Sequence, residues 1–432
     1  MQHVPRGGFE RAIAVLEARV FPILRRAAEE PHMAAMREAI GPAFGALIVV
    51  SVAAYFYEPG PDPATRFFAA YHVGFGAMGL ALAGFLAERL ARTFRYDRIA
   101  AVALSLIAFY LSLPIDSRTH PWIAVAQISS TSIFLGLIVA MLTGEAMRIG
   151  CKRLPAAAGI AAAAVATVVV FGSLAAAGVS LGGLLLPLIR PLVAVGDTLP
   201  GLLVVVTLQT LLWCAGVHGP AFLSAIVTPV YLHALDQNSQ AYINHLAPPH
   251  IVTIALATFF FPGGSGATLP FAVLLLRSKV ARLRKLALAS LLPSIANVNE
   301  PLIFGVPIVM NPTFALPFVG VPLVLATITY AAMALGLVDR TVFWVPPVNL
   351  LPAVIGAWII TGRDWRAVVL VAVNVALGAA LYAPFLRAFE NEIGRSPEEA
   401  DALVQSAAAL RAHELDVERH PEHLVASEPL DD

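Results

Sequence analysis

The run 286–310 is apolar but carries Asn297-Val298-Asn299-Glu300-Pro301 at its centre, a carboxylate with two amides beside it. Ionisable groups inside a membrane are costly, and each is a functional hypothesis by default. An unpaired carboxylate there loses several kcal/mol of solvation or becomes neutral. Proline lacks a backbone donor and disfavours helical geometry in the residue before it. The string therefore predicts an extended Glu300 with a helix starting just after it. Free backbone at that depth must line a cavity or be buried in protein. A carboxylate and two amides form a planar set of donors and acceptors suited to sugar hydroxyls. The competing reading is a helix-start carboxylate paired with a neighbouring span.

Three other places break the apolar pattern. Trp213-Cys214-Ala215-Gly216-Val217-His218-Gly219-Pro220 puts a histidine at a helix break. Its imidazole can donate and accept at once and titrates near neutrality. Pro262-Gly263-Gly264-Ser265-Gly266-Ala267-Thr268 lets the backbone approach a ligand or turn within the membrane. Gln127, Ser129, Ser130, Thr131 and Ser132 form a polar patch in run 121–143. Such hydroxyls serve equally as glue between helices. His72, Glu88, Glu145 and Asn374 are isolated polar positions. His233, His245 and His250 lack metal-ligand spacing with acids or Cys, so no metal site is expected. Cys151, beside Lys152 and Arg153, reads as a free thiol at the end of a span.

The elements that must hold these groups are membrane helices. Of the 432 residues, 58% are hydrophobic and 13% charged, with a mean hydropathy of +0.78. A soluble chain has about 25% charged residues. The missing polar surface has to be covered by lipid. Lys+Arg and Asp+Glu both number 28, so no charge excess points to nucleic acid. Two cysteines cannot build a disulfide framework.

Apolar runs at 40–57, 67–87, 99–115, 121–143, 155–181, 199–216, 251–276, 314–337, 350–361 and 365–386 predict about ten transmembrane helices. Runs 219–233 and 286–310, broken by Pro and Gly, fit two re-entrant hairpins. Segment 183–196, with Arg190, fits a helix along the interface. The Ala-rich run 156–166 suits close helix packing. Residues 1–39 lack a signal-peptide pattern and read as an amphipathic cytoplasmic helix. Basic residues crowd loops 88–98, 144–154 and 277–285 but not 58–66 or 114–121. That alternation puts the N terminus on the cytoplasmic side. The polar stretch 390–432 reads as a cytoplasmic helix with a disordered tail.

Asn299-Glu300-Pro301-Leu302-Ile303-Phe304-Gly305-Val306-Pro307-Ile308-Val309-Met310-Asn311-Pro312 resembles the signature of membrane subunit IIC of the bacterial sugar phosphotransferase system. The group it is most similar to is the lactose/cellobiose/diacetylchitobiose type. Trp213 with Gly216-Val217-His218-Gly219 resembles that group's W-F-F-G-I-H-G segment, and Gly263-Gly264-Ser265-Gly266-Ala267-Thr268-Leu269 its G-G-S-G-A-T-L run. Pro31-His32 and Lys285-Leu286-Ala287-Leu288 also fit. The resemblance runs from about residue 20 to about 390 in family order.

The resemblance implies an all-α polytopic elevator-type transporter of the inner membrane, homodimeric, with both termini cytoplasmic. It divides the chain into the N-terminal region 1–39, a scaffold and dimerisation part 40–198, a sugar-binding transport part 199–389 and the tail 390–432. It implies a β-linked disaccharide held by Glu300, Asn299 and His218, with Thr131 and Ser132 contributing and Gly219 adjacent. A separate IIB protein, recharged by IIA, would phosphorylate the sugar from its phosphocysteine, with Glu300 orienting or deprotonating the attacking hydroxyl. No cofactor is implied. The sequence departs from the family where a late Trp precedes a Pro. Aligning Pro352 with that proline puts Asn349 at the Trp position, and Trp344 lies five residues earlier. Where the family carries an acid before the glycine run, this chain has Ala257 and Thr258.

Three further readings compete. A sugar facilitator independent of phosphorylation, or a non-transporting sensor, would use the same scaffold. An intramembrane serine protease would use Ser265 as nucleophile and His218 or His250 as base.

Overall fold

Some helices begin where a side chain supplies a first-turn partner that a helix lacks. In the computed structural model, which describes residues 26, 30–57, 63–113, 130–214, 218–306, 308, 312–344 and 350–395, the chain is all-helical. The first half comprises α1 (Pro31–Tyr57), α2 (Pro63–Phe94), α3 (Arg98–Leu111), α4 (Thr131–Arg153), α5 (Ala156–Ala176) and α6 (Leu181–Gly196). Then come α7 (Leu199–Cys214), α8 (Gly219–Ile243), α9 (Ala257–Phe260), α10 (Thr268–Leu275), α11 (Ala281–Ile295), α12 (Glu300–Gly305), α13 (Pro312–Ala334), α14 (Ala353–Ile360) and α15 (Trp365–Arg395). Asp97 caps α3 through Ala100 N at 2.7 Å, and Ser180 caps α6 through Gly183 N at 3.1 Å.

Among the described residues, α1, α2, α4, α5, α13 and α15 are long and apolar enough to cross a membrane. The pair α6–α7, bent by 80°, adds a seventh if it counts as one span. Several sequence expectations shift here. Run 40–57 is the later part of a 27-residue helix that already starts at Pro31, so the boundary at 39/40 falls inside α1. Run 219–233 is no hairpin: α8 continues for 25 residues, with Pro220 in the first turn, where proline is tolerated, and Pro229 carried within the helix. The broken element is instead run 251–276. Its chain reverses through Gly263, Gly264, Gly266 and Ala267, all at positive φ, leaving only the short α9 and α10. Run 286–310 is broken as expected, into α11 and α12. The Asn349 position, Gln127, Ser129, most of 1–39 and the tail beyond 395 lie outside the described residues.

Helices α1 to α5 pack mainly on one another, and α7 with α9 to α15 form a second group. α8 touches both, lying on α1, α2, α4 and α6 as well as α7. The first group closes on small residues. A Cβ placed on Gly136 of α4 would stand 2.2 Å from the Gly79 carbonyl oxygen of α2, and one on Gly159 of α5 2.7 Å from the Gly150 carbonyl carbon of α4. Such contacts let backbones approach where lipid offers no hydrophobic drive to associate. Val165, Val168, Val169 and Val170 of α5 stay exposed, an apolar face fit for lipid. α6 buries Leu185, Ile189 and Val193 and exposes Leu184, Leu188, Leu192 and Arg190.

Candidate functional site

Two broken elements meet at their tips. Asn299, 4% exposed, caps the start of α12 and donates from Nδ2 to the Ser265 carbonyl at 2.6 Å. Asn297, at φ 59°, accepts from Gly263 N at 2.8 Å and donates to the Leu351 carbonyl at 3.1 Å. Gly264 lies so close that an added Cβ would stand 2.8 Å from Asn299 Cγ. At Gly266 an added Cβ would stand 2.2 Å from the Phe318 ring. Tyr382 donates from its hydroxyl to the Gly266 carbonyl at 2.6 Å. The glycines are thus required by close approach of a side chain and a ring, and the amides of the Asn-Glu-Pro string hold the turn.

Glu300 is the first residue of α12 rather than an extended residue before it. Its Oε2 is buried with no hydrogen-bond partner among the described residues. His218 caps α8, accepting from Ala221 N on Nδ1 at 3.1 Å. An accepting Nδ1 carries no hydrogen, so the neutral ring presents Nε2–H as a donor. Among the described residues, the charges of Glu300 and Arg37 act on His218. A free carboxylate oxygen and a free imidazole donor therefore share one neighbourhood, set by the start of α8 and the start of α12. Gly219 is buried against α7, where an added Cβ would stand 2.0 Å from the Gln209 carbonyl oxygen.

Sequence reasoning missed two residues here. Gln209 of α7 donates to the Ser265 hydroxyl at 3.3 Å, tying the glycine turn to the helix that supports Gly219. Trp213 was read only as part of a motif. Its ring centroid lies 4.6 Å from that of His218, and its buried Nε1 has no partner among the described residues. A lone amide within run 199–216 was the available signal for Gln209.

Thr131 and Ser132 are not brought to this group. The Ser132 hydroxyl is buried and donates to the Phe75 carbonyl at 2.8 Å, in the α2–α4 seam. Ser130, next to Thr131, bonds Asp236, which lies about 27 Å along α8 from His218. The Ser130 and Ser132 hydroxyls are thus spent between helices, at the other end of α8 from His218. Trp344 is buried against Phe44, and its carbonyl accepts from the Tyr71 hydroxyl. A serine protease is not built either: His250 is bonded to Asp197 and Gln237, and His218 spends Nδ1 on its own helix.

The family described as Phosphotransferase system, EIIC matches residues 56–322. The lichenan permease IIC component of Bacillus subtilis (strain 168) is 31% identical, over 91% of this chain and 97% of that protein. The cellobiose-specific EIIC component of Geobacillus stearothermophilus is 30% identical, over 92% and 98%. The crystal structure of ChbC, the IIC component of the N,N'-diacetylchitobiose-specific phosphotransferase system, has a TM-score of 0.75 at 28% identity, covering 87% of this chain and 98% of that one. The interlocked Asn-Glu-Pro and glycine segments thus belong to a multi-pass membrane permease, and this chain is a member of the EIIC family of the phosphotransferase system, in its lactose/cellobiose/chitobiose group.

Proposed function

We propose that this chain carries a β-linked disaccharide of the cellobiose, diacetylchitobiose or lactose kind across the cytoplasmic membrane, for phosphorylation by a separate IIB protein recharged by IIA. The observation that carries the assignment is the unpartnered, buried Glu300 Oε2 within electrostatic reach of His218. A buried acceptor without a partner costs about 1–3 kcal/mol, and a sugar hydroxyl donating to it recovers that cost. His218 Nε2–H supplies the complementary donor to a second sugar oxygen. Asn299 holds Glu300 in place through Ser265 with one amide N–H, and its remaining amide groups contribute to the sugar site. Trp213 lines the same neighbourhood.

In phosphoryl transfer, the sugar hydroxyl attacks the phosphorus of the IIB phosphocysteine, the P–S bond breaks, and the thiolate leaves. Glu300 orients that hydroxyl and accepts its proton. Positioning and exclusion of water supply most of the remaining acceleration.

The working unit is a homodimer of protomers with ten spans and two re-entrant hairpins, the hairpins being 251–276 and 281–305. Residues 40–198 form the scaffold and 199–389 the moving part, elevator-fashion, with both termini cytoplasmic. The mutual packing of α1 to α5, and of α7 with α9 to α15, supports such a division.

The test is uptake of labelled cellobiose and diacetylchitobiose into cells expressing the chain, with and without a competent IIB/IIA pair. Accumulation as sugar phosphate only with the pair is the expected result. Free sugar entering regardless of the pair makes the chain a facilitator. Uptake of neither sugar refutes the proposed substrate class.

A further inference from the structure

The densest polar network outside the sugar site lies at the far end of α8. Asp236, 2% exposed, receives His72 Nδ1 of α2 at 2.8 Å, the Ser130 hydroxyl at 2.5 Å and Gln240 Nε2 at 3.0 Å. Ser130 Oγ also meets His233 Nδ1 at 2.8 Å. His233 Nε2 meets Gln237 Nε2 at 3.2 Å. Gln237 Oε1 meets His250 Nε2 at 2.5 Å, and His250 Nδ1 meets Asp197 Oδ2 at 3.0 Å. The other Asp197 oxygen accepts from Ile251 N at 2.8 Å and Val252 N at 2.6 Å.

This chain of bonds has a carboxyl group at each end, and with both ionised each can only accept. Ser130 donates to Asp236, so His233 Nδ1 must donate to Ser130. His233 Nε2 then accepts from the Gln237 amide nitrogen, and Gln237 Oε1 accepts from His250 Nε2–H. His250 Nδ1 must still donate to Asp197, so His250 carries hydrogens on both nitrogens. Turning the Gln237 amide over moves the double donor to His233 and does not remove it. A serine hydroxyl, a neutral imidazole and the amide each donate one link and accept the other, so none of them can reverse the direction of the chain. With both carboxylates ionised, one imidazolium has to.

We infer that the Asp236–Ser130–His233–Gln237–His250–Asp197 chain is a proton-binding site that holds one proton between two carboxylates. The proton clasps the α6–α7 corner at Asp197 and the segment 250–252 to α8 and to the start of α4. Its loss in alkali leaves two acceptors facing each other and opens the clasp. The other titratable or charged groups around it are His72 and Tyr71 on α2, Tyr231 on α8, Tyr330 on α13, whose hydroxyl donates to the Asp197 carbonyl, and Arg340, bonded to the Pro248 and Pro249 carbonyls. The inference does not depend on which sugar is carried.

The experiment uses the purified full-length protein with ¹⁵N-labelled histidine. A His32→Gln background removes the ring whose two nitrogens each lie 2.7 Å from a carboxylate, Glu30 and Glu145. At pH 8.5 a free imidazole, with a pKa of about 6.5, is neutral. One ring is expected to keep both nitrogens protonated. Asp197→Asn is expected to abolish that signal, because Asn Oδ1 keeps Ile251 and Val252 while Nδ2 donates to a neutral His250. The melting temperature of the parent should fall from pH 7 to 9, and that of Asp197→Asn should fall less. Absence of any imidazolium in the parent overturns the site, whether or not the variant folds. A signal unchanged in Asp197→Asn overturns it too, and equal melting slopes overturn the clasp.

Discussion

Asn299 donates its side-chain amide to the backbone carbonyl of Ser265 at 2.6 Å, joining residues 34 positions apart in sequence. That bond fastens the start of α12 to the glycine turn, and in the proposed site it gives Asn299 a positioning role beside Glu300.

Asn299→Ala should therefore impair uptake through Glu300. The buried Ser265 carbonyl loses its donor, a cost of about 1–3 kcal/mol. Sugar uptake is expected to fall at least tenfold while membrane insertion persists. Wild-type uptake in this variant would refute the positioning role.

His218 has two tasks that a pair of variants can separate. Its Nδ1 caps α8 through Ala221 N, and its Nε2–H is the donor assigned to the sugar in the proposed site. Asn is a strong N-cap. His218→Asn should keep thermal stability within about 1 kcal/mol and lose uptake, whereas His218→Ala loses the cap as well, at about 0.5–2 kcal/mol. Glu300→Gln should also abolish uptake and leave insertion intact. Sugar uptake by both His218→Asn and Glu300→Gln at the parent rate would disprove the site.

Gly266 combines a φ of 84° with an added Cβ 2.2 Å from the Phe318 ring. Gly266→Ala is expected to destabilise the protein by about 1–3 kcal/mol. Thermal denaturation of the detergent-solubilised chain measures this. Adding Phe318→Leu should return only part of the loss, since the backbone strain remains.

Asp364 predicts acid sensitivity in the turn before α15. Burial alone would raise its carboxyl pKa. The Arg366 side chain, with backbone donors from Asp339 and Arg366, outweighs burial and holds it below the ordinary aspartate value. A depressed folded-state pKa stabilises at pH above the unfolded value, about 3.9, and that contribution is lost as pH falls through the lower folded value. Melting temperature should therefore drop more steeply below pH 4 in the parent than in Asp364→Asn. Parallel acid limbs would contradict it.

The membrane class, the loops that carry the basic residues, and the polar breaks at Glu300 and His218 were legible in the chain itself. Each depends on local chemistry: apolar run length, the placement of Arg and Lys, or a polar group where hydrocarbon penalises it. The tertiary structure alone decided which proline or glycine breaks a helix. Pro220 starts α8, whereas Gly263 to Gly266 reverse the chain because Asn297, Asn299 and Phe318 pack against them. It also decided that Ser132 serves the α2–α4 seam, and that His72, His233 and His250, far apart or irregularly spaced in sequence, share one hydrogen-bond network. A hydroxyl or an imidazole has the same chemistry wherever it stands, and only its neighbours in space determine whether its bonds are spent within the protein or left for a ligand.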